Sequence, residues 1–553
     1  MNPRGRQNAP EGSTASRPRA RLNPLQPTGN SPGARYAAAL LVLVTVLAYW
    51  PLLSSDFTNW DDQETIVHNR WLNPPKLSHF AEFWNPRRPF MDVWIPMTYT
   101  AWSAVAAVAY VPTADPETQA SLNPWLFHGA NLAVHICSVL LVFAILRRLV
   151  GKNWPAAAGA ALFALHPVQV EPVAWLSGMK DLLCGCFSLL AIDQYILFAQ
   201  QNARARDNDS KRSTGAIYYI LAGLAALAAM LSKPAGVALP IVVIVIDIFF
   251  LRRSAAATAR ALWPWLAMAA LFVLEGRFAQ PPHAHRYVTP LALRPLIATD
   301  ALAFYLFKLV APIHLTVAYN RSPSAALAAH WPYYTWVAPL GVAWIACAWR
   351  RTFNWVAGAV GVCWSALLPV LGLVPFDFQD YSTVADHYLY LAMLGPALAA
   401  GFLLARSSSR PAAVVCVIVL AVLGARSFVQ THVWYDAVSL NRHQIAINPR
   451  ECAGYNNLAG AYLDRHQVSD AIATFRQGLK VAPQCVPLRV NLAPLLANEG
   501  KLEEAEQLFR SAQPYASAEE IARIRDGLAK VAQMREEMRE AAERSATRPG
   551  KSL

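Results

Sequence analysis

The chain has 553 residues, of which 55% are hydrophobic and only 15% charged, with a formal net charge of +13. A soluble chain carries about 25% charged residues, and here the deficit lies between about positions 36 and 428, so a wholly soluble protein is excluded. The basic excess does not form a nucleic-acid stripe. Much of it sits in short clusters between apolar runs, at Arg147-Arg148, Arg204 to Arg212, Arg252-Arg253, Arg350-Arg351 and Arg406 to Arg410, which is the positive-inside pattern of a membrane protein.

Residues 1–35 carry Arg4, Arg6, Arg17, Arg19, Arg21 and Arg35 against Glu11 alone and are rich in Pro, Asn and Gly, so a disordered basic cytoplasmic arm is expected. No cleavable signal peptide is expected, because the first apolar run begins only after that arm. A membrane span needs roughly 20 apolar residues. Eleven candidates follow: 36–53, 127–146, 155–167 with its flanks, 181–199, 216–232, 234–251, 261–276, 332–349, 354–375, 388–405 and 411–428. Segment 299–319 is interrupted by Asp300, Lys308 and His314, and counting it as a crossing would invert the later arginine clusters. It therefore reads as interfacial or re-entrant. Eleven crossings place the N-terminus inside and the C-terminal part outside. The extracytoplasmic pieces are then the long loop 54–126, the junction 166–180, the turn at Lys233 and the loop 376–387. Cys137, Cys184, Cys186, Cys347, Cys363 and Cys416 fall in apolar spans and read as small core residues.

The first outside loop contains Asp56-Phe57-Thr58-Asn59-Trp60-Asp61-Asp62. Adjacent acids beside a membrane helix can act as a general base or hold a cation, and they can equally be a solvated loop. The second span opens with Asn123-Pro124 and carries His128, Asn131 and His135 at i, i+3 and i+7, one helical face. Polar groups in a membrane helix face a bundle interior or cavity, and interhelical hydrogen bonding is the plainer reading. His166-Pro-Val-Gln-Val-Glu171-Pro-Val-Ala-Trp175-Leu-Ser177-Gly-Met-Lys180-Asp181 gathers two acids, a histidine and a lysine between two spans. Lys233 sits at a later outside turn. A single interfacial lysine can simply snorkel, whereas two in one pocket suit a phosphate headgroup. Asp386-His387-Tyr388-Leu389-Tyr390 opens the tenth span from outside.

Beyond the last span a period of 34 appears: Ala437, Ala471 and Ala505; Pro449 and Pro483; Asn457-Leu458-Ala459 and Asn491-Leu492-Ala493; Phe475 and Phe509. This is the tetratricopeptide (TPR) period, with small residues where helices cross and an aromatic on the second helix. Units at 451–484 and 485–518 follow a half-repeat, and the charged helix within 519–553 reads as a polar cap and tail. Cys452 and Cys485 can pair only if their Cα atoms come within about 7 Å. The fold class is thus all-α: a polytopic membrane helical bundle at 36–430, followed by a C-terminal TPR α-solenoid at 431–518.

These motifs, in this order, resemble the TPR-containing GT-C glycosyltransferases, a group that includes the transmembrane-and-TPR protein O-mannosyltransferases and bacterial relatives. The likeness covers roughly 50–520 and rests on positions 56–62, 123–135, 166–181, 232–234 and 386–390, followed by the repeats. It implies an inverting transferase in the bacterial inner (cytoplasmic) membrane, with a periplasmic TPR domain. The sugar would pass from a polyprenyl-phosphate-linked donor to a protein or glycan acceptor on the outer face. Asp61 would be the catalytic base with Asp62 beside it, and the donor phosphate would lie at Lys180, Lys233 and His387. His128, Asn131, His166, Glu171, Asp181, Asp386 and Tyr390 would line the pocket. No cofactor is required, although Asp61 and Asp62 could hold Mg²⁺ or Mn²⁺. The partners implied are the lipid-linked donor, membrane lipid, and a protein recruited by the repeats, with no nucleic acid. The family pattern usually has His where this chain has Gln169, so that position receives no role; Arg277, His283 and His285 also receive none. Two other classes stay open on the residues alone. One is a non-catalytic TPR membrane scaffold for envelope or polysaccharide assembly. The other is a transporter using the polar face of His128 and His135, for which no internal repeat among the spans speaks.

Overall fold

The computed structural model describes residues 31–87, 90–113, 121–204, 209–279, 288–407 and 409–546. Most of the expected N-terminal arm, positions 205–208 of the second arginine cluster, His283 and His285, and the tail from 547 lie outside the described residues.

Among the described residues the chain is helical throughout, with isolated bridges in place of strands. The first span is α1 (Pro32–Tyr49). Within the first loop, α2 (Pro96–Ala109) packs on the second span, α3 (Pro124–Val150). The ends of α3 are written into its sequence. Asn123 caps it by accepting from the Trp125 amide, Pro124 occupies the first turn, Arg147 and Arg148 fill the last turn, and Gly151 closes it at φ 77°.

Next comes α4 (Asn153–Leu165), which stops where His166-Pro167 withdraws the helical hydrogen bonding. A short helix, α5 (Val170–Ala174), then leads into α6 (Met179–Arg204), which pairs along its length with α7 (Asp209–Ser232). The bundle continues through α8 (Leu239–Ile246), α9 (Ala255–Ala279), α10 (Arg294–Val310), α11 (Val337–Ala348), α12 (Asn354–Leu367), α13 (Leu394–Arg406) and α14 (Arg410–Thr431).

Among the described residues seven helices are long and apolar enough to cross a membrane, and an eighth arises if Asp386–Ala392 and Leu394–Arg406, bent by 48°, form one span. The remaining three of the eleven expected spans are shorter helices: 13 residues in α4, 12 in α11 and 14 in α12. The shortening has local causes: His166-Pro167 ends α4, a separate turn at Pro332–Thr335 takes the start of the α11 region, and Pro369 closes the helix after α12. Segment 299–319 leaves helical geometry at Ala311, where Lys308 folds its ammonium onto the carbonyls of Ile313 (2.7 Å) and His314 (3.1 Å).

The C-terminal part consists of α15 (Ala437–Ile447), the helix pairs α16 (Cys452–Asp464) with α17 (Val468–Val481) and α18 (Val486–Asn498) with α19 (Leu502–Ala512), and α20 (Ala518–Ala546). Its core fits the repeat reading. Ala471, Ala505, Phe475 and Phe509 are buried at the crossings, and Ile524 and Val531 of α20 close the stack. Cys452 and Cys485 are joined by a disulfide, with Cα atoms 6.1 Å apart.

Candidate functional site

The junction between α4 and α6 is irregular yet fully buried from Pro167 to Met179, which leaves backbone polar groups in need of partners. Asn131 of α3 supplies two: its amide donates to the carbonyls of Val173 (3.1 Å) and Trp175 (2.9 Å). At Gly178 the chain passes so close to Pro172 that an added Cβ would lie 2.6 Å from the Pro172 carbonyl oxygen, so only glycine fits. This rigid turn places Trp175, Ser177, Lys180 and Asp181 in fixed directions.

The loop between α1 and α3 docks onto it. Asp62 is 0% exposed and its carboxylate accepts four hydrogen bonds. Oδ1 takes the Ser177 amide (2.9 Å) and hydroxyl (2.7 Å), and Oδ2 takes the Thr58 amide (3.0 Å) and hydroxyl (2.7 Å). Its acceptor capacity is committed to the fold. Asp61, one residue earlier, keeps 39% of its side chain exposed, and Lys180 Nζ lies 3.7 Å from its Oδ2. Its partial burial pushes its pKa up, opposed by the charge of Lys180. The adjacent acids therefore have different roles: Asp62 clamps the loop, and Asp61 faces the opening.

Lys180 also lies over the Trp175 ring at 4.5 Å. From there an aromatic strip runs through His387, 5.4 Å from Trp175 by ring centroids, to Tyr388 at 4.4 Å from His387. Lys233 stands over Tyr388 at 5.1 Å and pairs with Asp181 at 2.5 Å. The two lysines thus flank one strip, each partly exposed and each with an acid partner. His387 is oriented by Glu171, whose Oε1 lies 2.7 Å from Nδ1 while Oε2 accepts from the Asp386 amide at 3.1 Å. Glu171 is held well above the usual carboxylate range by burial, reinforced by Asp386 and Asp181. Tyr319 donates to the Asp386 carboxylate, at 2.8 and 2.9 Å from its two oxygens.

Of the expected site residues, Asp61, Lys180, Lys233, Asp181, Glu171, Asp386 and His387 converge on this region. The other residues expected to line the pocket make contacts within the fold. His128 approaches the Asp56 carbonyl (3.4 Å), and His166 holds the Leu309 carbonyl (3.2 Å) and its own following turn. Asn131 braces the junction as described. Tyr390 points into the bundle, where its hydroxyl meets His135 Nδ1 at 3.0 Å and its ring packs on Phe163. An ion at Asp61-Asp62 would have to displace the Asp62 donors, and among the described residues no group of three or more His, Cys, Asp or Glu side chains is placed to hold a metal. Residue-by-residue reading missed Thr58, Ser177, Trp175, Tyr388 and Tyr319. Trp175, Ser177 and Tyr388 stand inside the motifs, but their partners are set by long-range packing.

The repeats lie on the same side of the bundle as this loop. Asn59 donates to the Asn457 carbonyl (2.6 Å) and accepts from Asn441 Nδ2 (2.8 Å), and the Asp56 amide donates to the Tyr435 carbonyl (2.8 Å).

No protein-family model matches the chain. Among curated proteins it is similar to protein O-mannosyl-transferase F38B6.6 of Caenorhabditis elegans, 21% identical over 485 residues, covering 82% of this chain and 64% of that protein. Protein O-mannosyl-transferase TMTC1 of Homo sapiens is 28% identical over 222 residues, 39% of this chain and 24% of that protein. Protein O-mannosyl-transferase Tmtc2 of Drosophila melanogaster is 32% identical over 134 residues, 24% of this chain and 14% of that protein. The chain thus spans less than two thirds of the length of these relatives. Its homologues are protein O-mannosyl-transferases of the transmembrane-and-TPR family, in keeping with the motif resemblance.

Proposed function

We propose that the chain is a membrane glycosyltransferase that moves a sugar from a polyprenyl-phosphate-linked donor to a hydroxyl of a protein acceptor on the extracytoplasmic face. The observation that carries this reading is the half-exposed Asp61 beside Lys180, with Lys233 at the other end of the Trp175–His387–Tyr388 strip. A base and two cations are what the displacement needs. Asp61 takes the proton of the acceptor hydroxyl as its oxygen forms a bond to C1 of the sugar. The C1–O bond to the phosphate breaks, and its electron pair leaves on that oxygen, so polyprenyl phosphate gains a negative charge and the anomeric centre inverts. Lys180, Lys233 and His387 stabilise the developing charge, which matters most where water is scarce. Burial that raises the Asp61 pKa makes it a better proton acceptor, while the charge of Lys180 favours its anion.

The names of the relatives support mannose as the first sugar to try and proteins as acceptors. The test is transfer from labelled polyprenyl-phosphate mannose to a Ser/Thr-containing polypeptide in membranes holding the full chain. Activity in the wild type and its loss in Asp61→Asn is the expected result. Full activity in Asp61→Asn overturns the assignment of the base.

A further inference from the structure

The helix α15 touches both halves of the site at once. On one side Asn441 donates to Asn59 Oδ1 at 2.8 Å, and Asn59 donates onward to the Asn457 carbonyl at 2.6 Å. Asn59 is two residues from Asp61 and one from Trp60, in the loop whose other end Asp62 pins to Ser177. On the other side His443 Nε2 lies 2.9 Å from the Leu315 carbonyl, and Asn448, just past the helix, donates to the Ala318 carbonyl at 2.8 Å. That strap ends in Tyr319, whose hydroxyl holds both oxygens of Asp386, next to His387. The first helix of the repeat region is therefore a bracket between the segment bearing the base and the segment bearing His387.

Both anchoring residues of the Asp61 loop are polar; Asn59 is partly buried and Asn441 fully. Asn441 is 1% exposed, and a buried amide left without its partner costs more than the bond contributes. Asn59 uses its oxygen toward one TPR helix and its nitrogen toward the next, so its position is set by the spacing of α15 and α16. With Asp62 fixed at Ser177 and Asn59 at the repeats, Asp61 has a fixed anchor two residues before it and another one residue after it. Its direction is then a property of the docked repeats as much as of the membrane bundle.

We propose that Asn59 and Asn441 are positioning residues for Asp61, and that the docked TPR region is a structural part of the catalytic site and not only a recruiting arm. This rests on the reading of Asp61 as the base. A carboxylate displaced by about 1 Å from its productive geometry costs about 100-fold in rate. Donor binding, which uses Lys180, Lys233 and His387, is not touched by this link.

The experiment uses the full chain in detergent or native membranes, with polyprenyl-phosphate mannose as donor and a Ser/Thr polypeptide as acceptor. Asn59→Ala and Asn441→Ala are each expected to lower kcat about 10- to 100-fold with donor KM nearly unchanged. The double variant should be no worse than Asn59→Ala, since both cut one link. Asn441→Ala removes only one of the two bonds and serves where Asn59→Ala yields no folded protein. Wild-type kcat per folded molecule in both variants, with Asp61→Asn inactive, overturns this proposal alone. A rise in donor KM with kcat unchanged overturns it too. Full activity in Asp61→Asn removes the base assignment and the positioning role together.

Discussion

Asp62 and Ser177 lie 115 positions apart and are joined by two hydrogen bonds, from the Ser177 amide at 2.9 Å and its hydroxyl at 2.7 Å to one carboxylate oxygen. This contact fastens the loop between α1 and α3 to the α5–α6 junction and orients Asp61 toward Lys180. Asp62→Ala removes an acceptor of four bonds and leaves the Thr58 amide and hydroxyl and the Ser177 amide buried without partners, while the Ser177 hydroxyl keeps its contact with Thr65. Ser177→Ala removes one hydroxyl donor to a charged group, a loss of about 1.5–3 kcal/mol. Thermal melting and transfer activity should both rank wild type above Ser177→Ala above Asp62→Ala. A variant Asp62→Ala as stable and active as the wild type would contradict the clamp.

The pH dependence follows from the raised pKa of Asp61. As the proposed base, Asp61 works only when ionised, so transfer should be present above its pKa and lost as pH falls through it, with the acid limb raised from that of an ordinary aspartate. Lys180 favours the anion, so Lys180→Gln should move the acid limb further up in pH. The readout is the position of the limb in a kcat/KM profile, not its height. A limb that stays in place or moves down contradicts the pairing.

His387 and Glu171 are expected to act on the donor end. His387→Ala removes a ring that lies between the two lysines and should raise donor KM about 10- to 100-fold, the worth of a hydrogen bond to a charged group. Glu171→Gln keeps the shape but not the carboxylate that orients Nδ1, and should raise donor KM by less. Steady-state kinetics against polyprenyl-phosphate mannose separates these from an effect on the acceptor.

Tyr390 makes the opposite case. Its hydroxyl meets His135 inside the bundle and its ring packs on Phe163. Tyr390→Phe should lower stability by about 1 kcal/mol, the net worth of a typical hydrogen bond, and leave donor KM unchanged. Thermal melting beside steady-state kinetics checks it, and a raised KM would return this residue to the pocket.

Legibility from sequence was uneven for physical reasons. The repeats were readable because their signal is local: Ala471 and Ala505, or Phe475 and Phe509, recur at one spacing and meet their partners within about one repeat length. The apolar helices were readable for the same reason, since length and hydropathy are properties of one segment, although prolines ended two of the expected spans early and a separate helical turn shortened a third. Adjacent residues were harder. Lys180 and Asp181 stand side by side in one motif, but neighbours on a helix point about 100° apart, and they serve Asp61 and Lys233 respectively.

By itself the amino-acid sequence determined the helical membrane bundle, the 34-residue repeats and the supply of acids and lysines, because each depends on composition and period within a short stretch. Tertiary structure alone decided the partners. Asp61 and Asp62 are chemically identical neighbours, and what separates them is that Thr58 and Ser177 donors, brought in from both sides, occupy one carboxylate while the other stays open to Lys180. A carboxylate is free to take a proton only where folding has not already filled its lone pairs.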